Sequence, residues 1–393
     1  MGKYLRRRKF TIGRFLLMLW RILLTLVFSA GAIWFSGNAL MWGLTHVGVP
    51  GNTMQGSAME YGIMDRFDMQ MTNKISAALE GVLSIEKVYW LNDDDQIAPE
   101  PNQDNFGTTS DPSSMQGFLD EAKELLGVED TLFSTETKLY YNSEVTYYLD
   151  ETIMAITWKE LIDGTVYTLS EVKIAHPSQF RRFLADGVYG SDKQYTTTQM
   201  AATVNAVTAS SGDFYKFRPY GIKVYDGQVM HVYSIVDTCF ITEDGDFIFS
   251  YRKEITDRET AQKFVDDNNV RFSLAFGPVL VDNYECVPIP EDYTLGEVHD
   301  NYPRAAIAKM GGELHYLMVA ANQDPDRGLF PVPDMHQFGR QLQAFGAEKA
   351  YALDGGQTAV IVTNDKLINR PSYGYQRAIS DIIYFATAIP DGE

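Results

Sequence analysis

A run of 23 residues without a charged side chain, Ile22–Leu44, constrains this chain more than any other feature. At a rise of 1.5 Å per residue, a helix over this run is about 34 Å long, and the hydrocarbon core of a bilayer is roughly 30 Å thick. Seven lysines and arginines precede or border the run, and the first acidic residue is Glu60. Because basic flanks stay in the cytoplasm, the sequence predicts a basic cytoplasmic tail at 1–21, a transmembrane helix at 22–44 and an outward-facing body.

A cleaved signal peptide is the alternative interpretation of the same segment. Ala30-Gly31-Ala32 resembles the small-residue cleavage site of such a peptide. Apolar sequence continues well past this tripeptide, which favours an uncleaved anchor. Both interpretations place the body outside the cytoplasm, so the predicted location is the cell membrane, with a single-pass anchor and an extracellular domain.

The charge of the body excludes one class of partner. The chain has 33 basic and 52 acidic residues. Without the seven basic residues of the N-terminal segment, 26 basic residues (33 − 7) remain against 52 acidic ones, a net charge of about −26. Such a surface would repel phosphate backbones, so nucleic acid is not an expected partner.

Cys239 and Cys286 are the only two cysteines of the chain. Outside the cytosol they have a single way to pair as a disulfide. Both also lie in or beside apolar, strand-like runs, where free cysteines are commonly buried as small apolar residues. The sequence leaves both states open.

The chain after the predicted transmembrane helix divides into two segments of different residue composition. Residues 45–130 include a loop rich in Asp, Pro, Asn and Ser, and are interpreted as a membrane-proximal stalk or small helical subdomain. From 131 to 393, β-branched and aromatic stretches alternate with turn residues such as Asp163-Gly164, which predicts hairpins in an extracellular domain. Within this second segment, Pro near the start and Gly at the end of 176–187 predict a short helix.

The C-terminal third predicts a strand, a helix and a second strand. Residues 314–322 and 349–354 are apolar runs, and between them 333–346 has apolar residues at helical spacing. Strand, helix and strand in so short a segment form a βαβ unit, with parallel strands and a right-handed crossover. The predicted fold class is α+β, with a mixed β-sheet core, flanking helices and this C-terminal βαβ unit.

Asp354 ends the second of these strands, in the stretch LDGGQTA at 353–359. Ligands of open α/β sheets bind beyond the carboxyl ends of parallel strands, which favours a functional carboxylate at Asp354. Asp-Gly and Gly-Gly between apolar runs are also typical of a type I′ hairpin turn. The pattern alone leaves both interpretations open, and a turn can also present a carboxylate.

Standard catalytic motifs are absent from the sequence: GxSxG, HExxH, the P-loop and GxGxxG. The six histidines are scattered, so each is expected to be an ordinary surface or core residue, and no Ser or Cys triad is indicated. What remains are carboxylates and arginines on loops, in the stretches 210–221, 301–308, 353–359 and 375–381.

As a group these stretches resemble the phosphodiester glycosidase family, from about residue 140 to the C-terminus. The matching blocks, in order, are SGDFYKFR at 211–218 with Gly221, LAFGPVLV at 274–281, YPRAAIA at 302–308, LDGGQTA at 353–359 and QRAISD at 376–381. The family includes the animal enzyme that removes N-acetylglucosamine from phosphodiester-linked mannose. It also includes bacterial members that are membrane-anchored and exopolysaccharide-related.

The resemblance implies the site residues. The candidate catalytic residues are Asp354, Asp213 and Arg304, and the candidate substrate- and phosphate-binding residues are Gly355, Gly356, Gln357, Thr358, Arg218 and Arg377. Arginine binds phosphate bidentately, and the amides of two successive glycines are suited to form an anion-binding nest. No cofactor is predicted and no residue is assigned to a metal, although a divalent cation is left open.

The chain departs from the family pattern at four places. Ser211 replaces an Asn, Ala305 replaces a Thr, Gln357-Thr358-Ala359 replaces a segment with a Ser pair, and Asn322-Gln323-Asp324 replaces Asp-Gly-Arg. The resemblance implies a membrane-anchored enzyme that hydrolyses a glycosyl phosphodiester in a cell-surface glycan or exopolysaccharide. The departures favour the alternative, a catalytically silent relative that binds phosphorylated surface glycans or serves envelope assembly. A purely structural assembly component would have no affinity for glycans.

Overall fold

The computed structural model describes residues 91, 96–293 and 298–389, which all belong to the second of two compact units, Glu80–Glu393. In this part of the chain no helix is both long and apolar enough to cross a membrane. The predicted tail at 1–21 and transmembrane helix at 22–44 lie outside the described residues, as does most of the predicted membrane-proximal segment.

The described residues form four α-helices and nineteen strands. The helices are α1 (Gln116–Leu126), α2 (Thr197–Thr203), α3 (Arg258–Asp267) and α4 (Met335–Ala344). The strands are β1 (Phe106–Thr109), β2 (Val145–Leu149), β3 (Ile153–Ile162), β4 (Thr165–Ile174), β5 (Phe180–Leu184), β6 (Thr208–Ser211), β7 (Gly221–Tyr225), β8 (Gln228–Tyr233), β9 (Thr238–Thr242), β10 (Phe247–Ser250), β11 (Val270–Leu274), β12 (Val279–Asp282), β13 (Glu285–Cys286), β14 (Arg304–Met310), β15 (His315–Asn322), β16 (Ala347–Leu353), β17 (Ile361–Thr363), β18 (Lys366–Leu367) and β19 (Asp381–Phe385).

Two sheets carry most of the architecture. The larger has nine strands in the order β1-β2-β3-β4-β15-β14-β16-β12-β13, and the smaller has five in the order β18-β17-β6-β19-β5. The strands β10-β9-β11 and β7-β8 form two further small sheets. All neighbouring strands in these four sheets are antiparallel.

The nine-stranded sheet is buried on both faces. Successive side chains of a strand point to opposite faces. In β15, Val319 therefore packs in one core with Phe338 of α4, whereas its neighbour Met318 packs in a second core with Ile383 of β19. The large sheet thus lies between a helical layer and the five-stranded sheet, which explains why β14 and β15 are buried along their whole length.

The predicted C-terminal βαβ unit is present but split. β15, α4 and β16 follow one another in the chain, and both strands pair antiparallel with β14, so they run in the same direction on either side of it. In a direct βαβ unit the second strand would lie beside β15, but here β14 lies between β15 and β16. The predicted mixed sheet is therefore wrong for the described strands, whose neighbours are all antiparallel. The α+β class is confirmed.

The helix predicted at residues 176–187 is wrong, because the segment is built around the strand β5. Two 3-10 turns, Pro177–Gln179 and Ala185–Gly187, flank β5, which pairs with β19. Phe180 of β5 stacks on Phe385 of β19, with ring centroids 4.7 Å apart in the second core. Pairing with a distant strand overrides the local helix signals. The hairpin predicted at Asp163-Gly164 is confirmed as the connection between β3 and β4.

The described part of the predicted membrane-proximal segment contributes to the large sheet. β1 pairs with β2 at its edge. Ala122 of α1 lies in the first core, and Phe118 contacts the ring of Tyr147, with centroids 4.8 Å apart. Residues 106–126 therefore supply an edge strand and one of the covering helices.

The two cysteines are free thiols. Cys239 is fully buried among the apolar side chains of the second core, and burial raises the pKa of its thiol. The thiol of Cys286 donates to Oε1 of Gln343 at 3.2 Å. Of the two states that the sequence left open, the structure has the unpaired one.

Candidate functional site

Arg182 lies buried between two aspartates, and these three residues are called the Arg182 triad below. Its Nη2 donates to Oδ1 of Asp213 at 2.7 Å and to Oδ2 of Asp381 at 2.9 Å. Its Nε also donates to Oδ2 of Asp381, at 3.1 Å, and its Nη1 donates to the carbonyl of Ser273. Both carboxylates are completely buried, and the guanidinium of Arg182 is the counter-charge to which they are bonded.

The five-stranded sheet brings the triad together. Arg182 lies in β5, Asp381 begins β19 and Asp213 follows β6, and these three strands are neighbours in the sheet. Asp381 also accepts hydrogen bonds from the backbone amides of Asp213 and Phe214, both at 3.1 Å. The triad therefore fixes the path of the chain as it leaves β6.

The two carboxyl groups of the triad differ in pKa. Burial opposes the ionised form of Asp213, but the charges of Arg182 and Lys223 and the amide of Ala275 together hold the pKa of Asp213 below its ordinary value. Asp213 also accepts from the amide of Ala275 at 2.7 Å. Burial, together with the charge of Asp213, raises the pKa of Asp381. Asp381 is therefore the first of the two to take up a proton on acidification.

Asp213 was predicted to be catalytic, and the structure places it away from solvent. Its carboxylate has no exposed surface, and its oxygens accept from Arg182 and Ala275. A group held in this way positions its surroundings, whereas a nucleophile or base must reach the substrate. Asp213 is therefore a structural member of the triad.

Hydrogen bonds join the end of β6 and the loop after it to the residue that follows β16. The amide of Asp354 donates to the carbonyl of Gly212 at 3.1 Å, and the hydroxyl of Ser211 donates to the carbonyl of Asp354 at 3.0 Å. Gly212 is obligatory at this place, because a Cβ there would lie 1.9 Å from Oδ2 of Asp381. Ser211, one of the departures from the family pattern, thus holds the Asp354 loop.

Asp354 lies where the chain passes from the large sheet to the small one. β16 ends at Leu353, a 3-10 turn follows at Gly356–Thr358, and β17 belongs to the five-stranded sheet. The type I′ hairpin interpretation is wrong, because β16 and β17 are in different sheets. Asp354 instead lies at the carboxyl end of its strand, on the rim that the two sheets share.

One carboxylate and two guanidinium groups meet at this rim. Nη2 of Arg377 is 2.5 Å from Oδ2 of Asp354, and the charge of Arg218 also acts to lower the pKa of Asp354. Burial raises the pKa of Asp354, which is 6% exposed, and the two arginines only partly offset this. The side chain of Arg377 is 41% exposed, so the group of charges borders solvent.

Aromatic rings hold both guanidinium groups. The guanidinium of Arg218 lies 4.0 Å from the ring centroid of Phe276, and that of Arg377 lies 4.6 Å from the ring centroid of Phe214. Stacking on a ring leaves the edge of a guanidinium available to an anion. Both arginines are thus pre-oriented beside Asp354.

The glycine pair after Asp354 packs against protein. The amide of Gly356 donates to the carbonyl of Pro303 at 2.9 Å, and a Cβ on Gly355 would lie 2.5 Å from that same oxygen. The prediction of an anion-binding nest is therefore wrong for the Gly356 amide. Thr358 donates to the carbonyl of Gly355 at 2.8 Å, which closes the turn. Nε2 of Gln357 is buried without a hydrogen-bond partner among the described residues.

Arg304 was predicted to be catalytic and is buried under the glycine pair. It is 5% exposed, its Nη2 donates to the carbonyl of Asp300 at 2.6 Å, and its guanidinium lies 5.8 Å from the ring centroid of Tyr302. Arg304 therefore anchors the segment whose Pro303 carbonyl receives Gly356. The arginines beside Asp354 are Arg218 and Arg377.

All five sequence blocks meet at this rim. The contacts above join 211–218 to 274–281, 353–359 and 376–381, and join 353–359 to 303–308. Asn322, another departure, belongs to the same region, since its Nδ2 donates to the carbonyl of Ala359 at 3.2 Å. Asp324 instead accepts from the hydroxyl of Tyr140 at 2.5 Å.

Three residues of this region were missed from the sequence. Arg182 lay in a segment predicted as a helix, and its charge gave no local signal. Asp381 ends the QRAISD block and was not carried into the site, although the block pointed to it. Lys223 is 2% exposed, its Nζ has no hydrogen-bond partner in the described part of the chain, and burial lowers its pKa beside the triad.

Two cavities among the described residues, of about 170 and 220 Å³, do not have Asp354 in their lining. One of about 170 Å³ reaches Arg182 and is also lined by Arg181, Tyr225 and Arg271. Protein groups hold its other two arginines: Arg181 donates to the hydroxyl of Tyr384 and Arg271 to the carbonyl of Pro177. Among the described residues, no group of three or more His, Cys, Asp or Glu side chains is placed to hold a metal ion. The rim around Asp354 is therefore the candidate site.

Comparison with known proteins agrees with the blocks found in the sequence. Residues 200–386 match the family model described as phosphodiester glycosidase, which confirms the resemblance over those residues. No curated protein sequence matches the chain.

Solved structures that resemble the chain include three distant ones. The catalytic domain of zebrafish N-acetylglucosamine-1-phosphodiester alpha-N-acetylglucosaminidase, auto-inhibited by its pro-peptide, is 15% identical, with a TM-score of 0.47 over 60% of this chain and 83% of that one. A hypothetical protein from Synechocystis is 13% identical, with a TM-score of 0.44 over 64% of each chain. A protein from Burkholderia pseudomallei is 12% identical, with a TM-score of 0.39 over 57% of this chain and 74% of that one.

Replacing Arg182 with Met removes the guanidinium that bonds two buried carboxylates. We expect Arg182→Met to lower the free energy of unfolding by about 3–5 kcal/mol near neutral pH, and by less in acid, where the carboxylates are protonated. Urea denaturation at two pH values measures both effects. The control is Arg252→Met, which breaks the exposed ion pair with Asp292 and should cost no more than about 1 kcal/mol. Equal losses in the two variants would contradict the role of the triad.

A methyl group at position 212 has no room beside the triad. We expect Gly212→Ala to destabilise the protein by about 1–3 kcal/mol or more, because the nearest atom is a carboxylate oxygen held by Arg182. Gly117→Ala is the matched control, since a Cβ at this helical glycine has no atom within 4 Å and should stabilise by up to about 1 kcal/mol. Thermal melting of the two variants should therefore shift in opposite directions.

Proposed function

We propose that this protein hydrolyses a glycosyl phosphodiester, with Asp354 as the catalytic carboxylate and with Arg377 and Arg218 as the phosphate ligands. The observation that carries the proposal is the meeting of one largely buried carboxylate with two ring-stacked arginines at a solvent border. The match of residues 200–386 to the phosphodiester glycosidase family supports the same reaction class.

The chemistry of the bond explains why such a site suffices. A phosphodiester that leaves from the anomeric carbon is already a weak base, so it needs little protonation. What lowers the barrier is stabilisation of the charge on the departing phosphate and of the oxocarbenium-like sugar. Arginine edges supply the first, and a carboxylate beside the anomeric carbon supplies the second while it activates water.

The other predicted residues position the groups of the site. Asp213, paired with Arg182, fixes the loop whose Gly212 carbonyl accepts a hydrogen bond from the amide of Asp354. Arg304 holds the segment that receives Gly356, and Thr358 closes the turn. These are positioning residues, because their polar groups are bonded within the protein.

The finer parts of the proposal concern the place of action and the substrate. The charge-free run at 22–44 and the basic tail support a single-pass membrane anchor with the body outside the cell. A phosphorylated cell-surface glycan or exopolysaccharide is the substrate proposed for an enzyme in this location. Solubility of the full chain with and without detergent, together with protease accessibility on intact cells, tests the location.

Asp354→Asn keeps the shape of the side chain and removes its charge. We expect it to lower kcat for a glycosyl-1-phosphodiester by about 10²–10⁴-fold, because the reaction loses its base. Release of sugar from N-acetylglucosamine-1-phosphodiester and other glycosyl-1-phosphodiesters measures this. Asp365→Asn is the control, since it changes an exposed aspartate in the turn between β17 and β18. Absence of turnover by the wild type, with glycan binding intact in both proteins, would favour the silent binder instead.

The pH dependence of the reaction should follow the pKa of Asp354. The carboxylate must be ionised to act as a base, so activity falls as the pH drops through its pKa, which burial raises above 3.8. Arg377 lowers this pKa, so Arg377→Gln should move the acidic limb of kcat/KM to higher pH. Arg340→Gln, an exposed arginine on α4, should leave the limb in place. A limb that moves to lower pH in Arg377→Gln would contradict the assignment.

A further inference from the structure

The segment Pro371–Tyr375 exposes two tyrosines next to the candidate site. Tyr373 is 82% exposed and Tyr375 is 63% exposed, more than any other large apolar side chain among the described residues. Large apolar groups that remain in water, close together and beside a functional site, mark a surface that binds something. Neither ring is used by the proposed reaction.

The backbone that carries these rings is firmly held on both sides. Before them, the side chain of Asn369 is buried, donates to Oδ1 of Asn322 at 2.7 Å and accepts from the amide of Ile361 at 2.8 Å. After them, Gln376 donates to the hydroxyl of Thr198 at 2.7 Å. The segment between these two residues is thus held at both ends, so ligand binding requires little ordering of its backbone.

The tyrosine segment adjoins the reacting groups. The 3-10 turn Ser372–Gly374 contacts the turn Gly356–Thr358 that follows Asp354. Arg377, two positions after Tyr375, pairs with Asp354. A further exposed ring, Phe217, is stacked on Phe214 with centroids 4.8 Å apart, and Phe214 in turn lies against Arg377. A ligand seated at Asp354 therefore has aromatic faces within reach.

We propose that Tyr373 and Tyr375 form a subsite that binds a neighbouring pyranose ring of an oligosaccharide chain whose phosphodiester lies at Asp354. The C–H groups on one face of a pyranose are polarised by its hydroxyls and pack on the electron-rich face of an aromatic ring. The tyrosine hydroxyls are free to bond sugar hydroxyls. The inference rests on the proposed function for the position of the phosphate, and it deepens that function, because it makes the substrate a chain longer than a single sugar.

The test exploits the backbone conformation at Tyr373. This residue has φ of 61°, a region that asparagine tolerates well, so Tyr373→Asn removes the ring and keeps the turn. Tyr284→Asn is the matched control: Tyr284 is 51% exposed with φ of 65°, in the turn between β12 and β13 at the far edge of the large sheet. The probes are pyranose oligosaccharides of two to six residues, screened on a printed array, followed by titration calorimetry with the strongest binder.

The binding is measured in the Asp354→Asn background, where turnover is removed. We expect an oligosaccharide to bind. Tyr373→Asn should raise the Kd of that oligosaccharide by at least about fivefold, and Tyr284→Asn should leave the Kd unchanged. No binding to any oligosaccharide, or equal binding by the two tyrosine variants, overturns the subsite. Capture of a protein by this surface, without sugar binding, would also overturn it. A wild type that binds oligosaccharides but hydrolyses no phosphodiester keeps the subsite and rejects the proposed reaction.

Discussion

The charge of Arg182 between Asp213 and Asp381 is the interaction on which the site depends. It joins three neighbouring strands of the five-stranded sheet and fixes the chain after β6. That segment in turn forms hydrogen bonds with the backbone amide and carbonyl of Asp354. Transferring two carboxylates from water into the protein costs free energy, and the attraction of the Arg182 guanidinium offsets this cost only when the hydrogen-bond geometry is good. The position of the Asp354 carboxylate therefore depends on the buried Arg182 triad beneath it.

The layered fold explains why the site lies on a rim. The large sheet is covered by helices on one face and by the small sheet on the other, so both of its faces are buried. Where β16 ends, the chain must cross between the two sheets to reach β17. Asp354 lies in that crossing segment and is 6% exposed, and the side chain of Arg377 beside it is 41% exposed. The two sheets thus supply rigid support for a small polar surface.

The sequence predicted the elements of the fold that depend on neighbouring residues in the chain. The Asp163-Gly164 hairpin and helix α4 with its flanking strands follow from turn residues and apolar spacing. The five blocks together indicated the loops that meet. The strand β5 and the split of the βαβ unit were missed, because both are decided by distant pairing partners. The role of Arg182 was missed for the same reason: a buried counter-charge leaves no periodic pattern, and its two aspartates lie 31 and 199 positions away.

β19 is the last described strand, and it lies between β6 and β5 instead of at an edge. On the ribosome, β5 and β6 emerge long before it, and they have no shared partner until residues 381–385 follow. The small sheet therefore closes only after residues 381–385 have emerged, and Asp381 joins Arg182 and Asp213 in the same step. In a nascent chain that stops short of β19, strands β5 and β6 are still unconnected and the triad lacks one of its two carboxylates.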